Sequence, residues 1–197
     1  MDLAGQLSFV LPYAVSIGLI VVTLVLLWQK KPVKRFLIGS LVTMFVVKLV
    51  SVGLQSLFYY LNLKQDAFGK ILLQQGNGFF FNQVKESVQI LVIDFILALI
   101  VLGVLVAINR WQKKPWLNEA TPFVIAFLVL SLGNINFFIS LLLGLVFSLF
   151  YLIYEAIYKH KYERVVVDPF VLIAGLIVLI AAWLPIYEKI LSFLHLA

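Results

Sequence analysis

Residues 87–108 read SVQILVIDFILALIVLGVLVAI, a run that is apolar except for Ser87 and Gln89 near its start and one carboxylate, Asp94. A helix of this length extends over about 33 Å, and the hydrocarbon core of a bilayer is about 30 Å thick. A charged side chain inside such a run is costly in lipid and normally faces protein or water. The segment therefore predicts a transmembrane helix with one carboxylate turned toward the protein interior.

Similar apolar segments make up most of the remaining chain, at about 8–28, 36–60, 120–158 and 167–187. The segment 120–158 is too long for one span, and Gly133 and Asn134 in its middle favour a turn, which divides it into 120–132 and 136–158. The chain is 63% hydrophobic and 12% charged, compared with about 45–50% and about 25% in soluble proteins. We therefore predict an all-α, polytopic membrane protein with six transmembrane helices in a single domain, 1–197.

Lysine and arginine are concentrated between the predicted helices. Residues 30–35, 110–114 and 159–164 hold four, three and three of them, or ten of the fifteen in the chain. Basic residues in short loops remain on the cytoplasmic side, which predicts N-out and C-out termini, an outer loop at 62–86 and a place in the cytoplasmic (inner) membrane. The same rule accounts for the net charge of +6 without a nucleic-acid partner.

Two charged residues fall at membrane depth, Lys48 in the second predicted helix and Asp94 in the third. These helices run antiparallel, so we expect the two side chains to meet directly or through water. Ser51 and Gln55 share the helix face of Lys48 at spacings of three and seven residues. One interpretation is an outward-facing polar cavity for a lipid headgroup or a small solute. The other is a structural ion pair that fixes the register of the two helices.

Three further patterns give local predictions. Asp66 is positioned to cap a short amphipathic helix that ends near Gln75. Asn134 lies at the predicted outer end of the fourth and fifth helices, where it either binds a substrate phosphate or caps the turn. The small residues at 140, 144 and 148 recur every four positions, a spacing that lets helices pack closely.

Several kinds of chemistry have no signal in the sequence. The chain has no cysteine, and its two histidines are 35 residues apart at positions 160 and 195, so we expect neither a metal site nor a cofactor. It contains no nucleophile elbow, zinc-protease motif or phosphate-binding loop. The catalytic residues of an enzyme, if it is one, are therefore not identified.

Read in order, several segments resemble the prolipoprotein diacylglyceryl transferase family. The similar segments are 13–18 (YAVSIG), the basic loop 30–35, 57–59 (LFY), 76–83 (GNGFFFNQ), 110–115 (RWQKKP) and 133–134 (GN). The family's histidine-glycine-glycine segment is replaced here by Asn82-Gln83-Val84, and its arginine ahead of the Gly-Asn pair by Ser131. Tyr13 and Asn134 are the positions that correspond residue by residue.

This resemblance implies a transferase that uses a membrane phospholipid and acts on a lipoprotein, in a divergent or inactive form. Together with the polar residues at depth it gives six candidate substrate-binding residues, which are Tyr13, Lys48, Gln55, Asn82, Asp94 and Asn134. Two other hypotheses fit the same sequence. One is the substrate-binding membrane subunit of a small-molecule transporter, and the other is a structural subunit that packs against further membrane subunits.

Overall fold

The computed structural model describes residues 3–74, 78–111, 118–159 and 166–182, and in these residues the protein is helical without strands. The helices are α1 (Leu3–Trp28), α2 (Lys34–Gln65), α3 (Ala67–Gln74), α4 (Gly78–Trp111), α5 (Thr121–Leu132), α6 (Asn134–Tyr154) and α7 (Asp168–Ala181). A π-helical turn, Glu155–Lys159, continues α6. The predicted all-α class is confirmed for this part of the chain.

Four helical segments in the described residues are long and apolar enough to cross a membrane, namely Val10–Trp28, Lys34–Gln65, Phe80–Trp111 and Asn136–Tyr158. Large apolar side chains on their outer surfaces are exposed, such as Ile90 and Ile93 on α4 and Leu142 on α6. A soluble fold would bury these side chains, whereas lipid solvates them. The protein is therefore a multi-pass membrane protein.

Helix α5 occupies the centre of the bundle. Ten of its twelve residues are buried, including the polar Thr121 and Ser131 at its two ends. Twelve residues extend over about 18 Å, which is short for a complete span. Because its neighbours are protein on all sides, this helix does not need the length that a lipid-facing helix requires. Pro122 lies in its first turn, as predicted, where the missing N–H leaves no helical carbonyl unpaired.

Helices α6 and α7 approach each other closely through the predicted stripe of small residues. A Cβ added at Gly144 would lie 2.6 Å from the Cα atom of Val171. Ser140 Oγ donates to the Val171 carbonyl at 3.3 Å, and Ser148 is also buried. The prediction that these residues serve helix packing is confirmed.

The turn between α5 and α6 lies deeper in the bundle than predicted. Its single non-helical residue, Gly133, has φ +74°, and a Cβ at this position would lie 3.6 Å from Asp94 Oδ2. Asp94 comes sixteen residues after the start of α4 and seventeen before its end. The turn is therefore level with the middle of α4. The sequence pattern predicted it at the outer side of the bundle, but α5 is too short to reach that side.

The short helix predicted within the outer loop 62–86 is confirmed as α3, but the two long helices on either side extend further into this segment than predicted. Helix α2 continues to Gln65, α3 follows, and α4 already begins at Gly78. The drop in hydrophobicity marks the edge of the apolar segment, but the helical hydrogen bonds continue beyond it. The predicted cap is confirmed, since Asp66 Oδ2 accepts from the Gly69 N–H at 3.0 Å. The end of the predicted segment 167–187 lies outside the described residues.

Candidate functional site

The two charges at membrane depth form an ion pair between α2 and α4. Lys48 Nζ donates to Asp94 Oδ2 at 2.9 Å, and the two side chains are 18% and 8% exposed. The rings of Phe45 and Phe95, each close in sequence to one partner, lie 4.4 Å apart. The predicted meeting of Lys48 with Asp94 is confirmed, and it is direct.

The ion pair forms one wall of a cavity of about 320 Å³ between α1, α2 and α4. Its lining residues are Pro12, Tyr13, Lys48, Ser51, Val52, Gln55, Ser87, Ile90, Leu91 and Asp94. The polar stripe that the sequence placed on one face of α2 therefore faces this space. Apolar side chains from all three helices complete the wall, which gives the cavity both polar and apolar surface.

Ser51 has an unusual environment within this cavity. Its hydroxyl is buried and makes no hydrogen bond. Ser131 is also buried without a partner, whereas six other helical hydroxyls donate to the carbonyl four residues earlier, which are those of Ser16, Thr23, Ser40, Thr43, Ser56 and Ser87. A buried polar group without a partner is costly. The Ser51 hydroxyl is therefore available to a molecule that enters the cavity.

The start of α6 lies beside the same ion pair. Gly133 precedes α6, and its backbone closely approaches Asp94 Oδ2. The N-terminus of a helix carries a partial positive charge from its unpaired N–H groups. The carboxylate of Asp94 is therefore close both to the Lys48 ammonium and to the positive end of α6. A side chain at position 133 would also be strained, because its backbone conformation favours glycine.

The structure brings four of the six predicted site residues together. Tyr13, Lys48, Gln55 and Asp94 all line the cavity. Asn82 does not, because it lies on an exposed part of α4, five residues before Ser87. The Asn134 side chain lies outside the described part of the chain, although its backbone opens α6 next to Gly133. The close approach of Gly133 to Asp94 had no signal in the sequence, because it depends on the depth at which α5 ends.

The cavity offers several hydrogen-bonding groups to a ligand. The Lys48 ammonium has three donors and uses one of them on Asp94, so two remain for a ligand. The hydroxyls of Ser51 and Ser87 and the amide of Gln55 add further hydrogen-bonding groups. No histidine lines the cavity, and its carboxylate is already paired. The described residues contain no cluster of side chains that would hold a metal ion.

Comparisons of the chain with protein-family models, with curated proteins and with solved structures give no match. The resemblance to the prolipoprotein diacylglyceryl transferase family therefore stays a prediction from the sequence. The residues and distances of the cavity are a stronger guide to function than this resemblance.

Proposed function

We propose that this protein is a lipid-handling protein of the cytoplasmic membrane, and that its cavity receives the polar headgroup of a phospholipid or of a lipid-modified substrate. One observation carries the proposal. A Lys–Asp ion pair and an unpartnered serine hydroxyl line the same cavity of a membrane-embedded bundle. Polar groups at such depth are costly, and a ligand that uses them offsets that cost.

The composition of the cavity favours a phosphate-bearing ligand with an apolar part. Lys48 can donate to a phosphate oxygen while Asp94 holds its ammonium in position, and Ser51 can donate from the next turn of α2. Val52, Ile90 and Leu91 provide apolar contacts beside these groups. A headgroup joined to its glycerol backbone presents this combination of charge and hydrocarbon.

The proposed orientation puts the mouth of this cavity on the non-cytoplasmic side. Helices α1 and α4 end at Trp28 and Trp111, which are 90% and 92% exposed and adjoin the basic segments of the sequence. Tryptophan prefers the membrane interface, and basic loops prefer the cytoplasm. Gln55 and Ser87 lie toward the opposite ends of their helices. With α5 and α6 counted as two of the six predicted crossings, both termini are on the outer side.

The resemblance to the diacylglyceryl transferases suggests a reaction in which a diacylglyceryl group passes from a phospholipid to a lipoprotein. Such a transfer to a thiol needs a thiolate or a base. The carboxylate in the cavity is paired with Lys48, which favours ligand binding over this reaction. A second candidate is supported by the same observation, a substrate-binding subunit that works with separate transport subunits.

The identity of the bound molecule tests these proposals. We expect the purified protein to retain phospholipid that native mass spectrometry detects, and the double variant Lys48→Leu/Asp94→Leu to retain one lipid molecule fewer than the wild type. Lys64→Gln, an exposed lysine near the end of α2, is the matched control. A small soluble molecule in place of the lipid would support the transport subunit. Equal lipid retention in the wild type and the double variant would overturn the proposed site.

A separate assay decides whether the protein is an enzyme. Purified protein is mixed with phosphatidylglycerol and a prolipoprotein peptide, and transfer of diacylglyceryl to the peptide thiol is measured. Transfer that is lost in the double variant would establish the enzymatic function. Lipid retention without transfer would support binding alone.

A further inference from the structure

A second cavity lies at the other end of the bundle. It has a volume of about 950 Å³ and is located where the chain passes from α1 into α2. Lys34 at its edge precedes Lys48 by fourteen residues, which is about 21 Å along a helix. The two cavities have no lining residue in common, so this one is separate from the cavity that holds the Lys48–Asp94 ion pair.

The second cavity combines an apolar wall with a basic rim. Leu24, Leu27 and Ile173 contribute apolar side chains to its wall. Its rim carries three lysines, at positions 30, 31 and 34, and one carboxylate, Glu119. This arrangement is complementary to a lipid, which has a charged group at one end and hydrocarbon at the other.

The rim has an excess of positive charge. Lys34 is the lysine that pairs with Glu119, at 3.9 Å between exposed side chains. Lys30 and Lys31 form no ion pair with any acidic group in the described residues. Two lysines therefore remain for an anion at the mouth of the cavity.

The backbone at Lys30 gives independent support for a role of this side chain. Lys30 has φ +54° and is the one non-glycine residue with a positive φ in the described part of the chain. The Lys30 N–H donates to the Leu27 carbonyl and the Lys31 N–H to the Leu26 carbonyl, both at 3.0 Å. This is the Schellman ending of a helix, in which glycine usually takes the position of Lys30. The left-handed conformation disfavours a lysine at this position. A role for the Lys30 side chain would explain why lysine is found there.

We propose that this cavity binds an anionic phospholipid from the membrane leaflet at this end of the bundle. The phosphate contacts Lys30 and Lys31, and an acyl chain lies along Leu24, Leu27 and Ile173. Basic residues at a membrane surface attract anionic lipids, and the cavity volume is within the range of ligand sites. Under the proposed topology, this is the cytoplasmic leaflet.

Lipid titrations followed by native mass spectrometry test this site. Purified protein is titrated with an anionic and with a zwitterionic phospholipid that have the same acyl chains. We expect the wild type to prefer the anionic lipid, and each of Lys30→Gly and Lys31→Gln to weaken its binding about fivefold, as expected for one basic residue at a membrane surface. Lys64→Gln is the matched control and should bind as the wild type does.

The choice of glycine at position 30 separates loss of charge from loss of structure. Glycine is the preferred residue for this backbone, so Lys30→Gly should unfold at the same temperature as the wild type or above it. Lys31→Gln provides a second test if Lys30→Gly does not fold. The double variant Lys48→Leu/Asp94→Leu should keep this preference for anionic lipid, so a failure of the first cavity is distinguishable from a failure of this one.

Three results would overturn the proposal. One is equal binding of the anionic and zwitterionic lipids by the wild type. The second is anionic lipid binding that is unchanged in both lysine variants. The third is displacement of the lipid by inorganic phosphate at the same concentration as the lipid, because this would show that a soluble anion binds as tightly and that the apolar wall adds no affinity.

Discussion

At the scale of single residues, the contacts of Lys48 and Asp94 determine what their replacement does. Each is largely buried beside the other, so Lys48→Leu or Asp94→Leu leaves an uncompensated charge in the bundle. We expect each single variant to lose about 3 kcal/mol of stability. The double variant removes both charges, and we expect it to be within about 1 kcal/mol of the wild type. Thermal unfolding in detergent measures all three.

This comparison also separates the two interpretations of the ion pair. A double variant that is stable and has lost its ligand indicates that the pair serves binding. A stable double variant with unchanged ligand binding indicates a structural pair. If both single variants and the double variant kept the stability and the ligand binding of the wild type, the 2.9 Å contact would have no importance for either, and both interpretations would be wrong.

Ser51→Ala tests the hydroxyl that has no partner. Because the Ser51 hydroxyl is buried without a hydrogen bond, its removal should leave the stability unchanged or raise it slightly. Ligand retention should fall, by about fivefold if one hydrogen bond is lost. Ser56→Ala is the matched control on the same helix, since Ser56 donates to the Val52 carbonyl at 2.8 Å and does not line the cavity. A clear loss of stability in Ser51→Ala would contradict the assignment.

The sequence was most informative where membrane depth limits the possible contacts. Lys48 and Asp94 were predictable as a pair because each is a charge inside an apolar helix, and few partners exist at that depth. Lys30 was not predictable in its left-handed conformation, because lysine has no preference for it. Asn82 was assigned to the cavity through the family resemblance, and the helix that carries it leaves it exposed.

At the scale of helices, the contact between α6 and α7 predicts a sharp difference between two glycines. Gly144→Ala would place a Cβ against the Val171 backbone, which cannot move without shifting α7. We expect a loss of about 1–3 kcal/mol, as for overpacking. Gly53→Ala on α2 is the matched control, because its Cβ would have nothing within 4 Å, and alanine is the better helix former.

The measurement for this pair is the thermal unfolding midpoint of each purified variant. Gly144→Ala should unfold below the wild type, and Gly53→Ala at or above it. Equal midpoints for the two variants would mean that α6 and α7 do not pack as tightly as the distance between Gly144 and Val171 indicates.

The helix boundaries show which helix ends are determined by local sequence. Gly133 and the proline at position 122 mark the two ends of α5 correctly, because both act through backbone geometry. The segment 62–86 was predicted as a loop around one short helix because it is polar, yet α2 and α4 also extend into it. Polarity reports where an apolar segment ends, whereas helix formation depends on backbone hydrogen bonds that polar residues also support.

At the scale of the whole molecule, the short α5 has a simple consequence for topology. Its turn into α6 lies level with the middle of α4. If α6 returns from this turn to the side where α5 begins, we expect the segments before α5 and after α6 to be on the same side, whether or not the hairpin reaches the far side of the membrane. The sidedness inferred from the basic segments 110–114 and 159–164 is therefore independent of how deeply the hairpin penetrates.

Cysteine labelling tests this topology directly, because the chain has no cysteine of its own. Single variants Asn77→Cys, Lys113→Cys and Glu163→Cys are treated in intact cells with a membrane-impermeant maleimide. We expect Asn77→Cys to react from outside, and the other two only after permeabilisation, since α4 separates position 77 from position 113. Reaction of positions 77 and 113 from the same side would mean that α4 does not span the membrane. Reaction of positions 113 and 163 from opposite sides would mean that α5 and α6 together cross it an odd number of times, and the proposed orientation of the cavity would then be wrong.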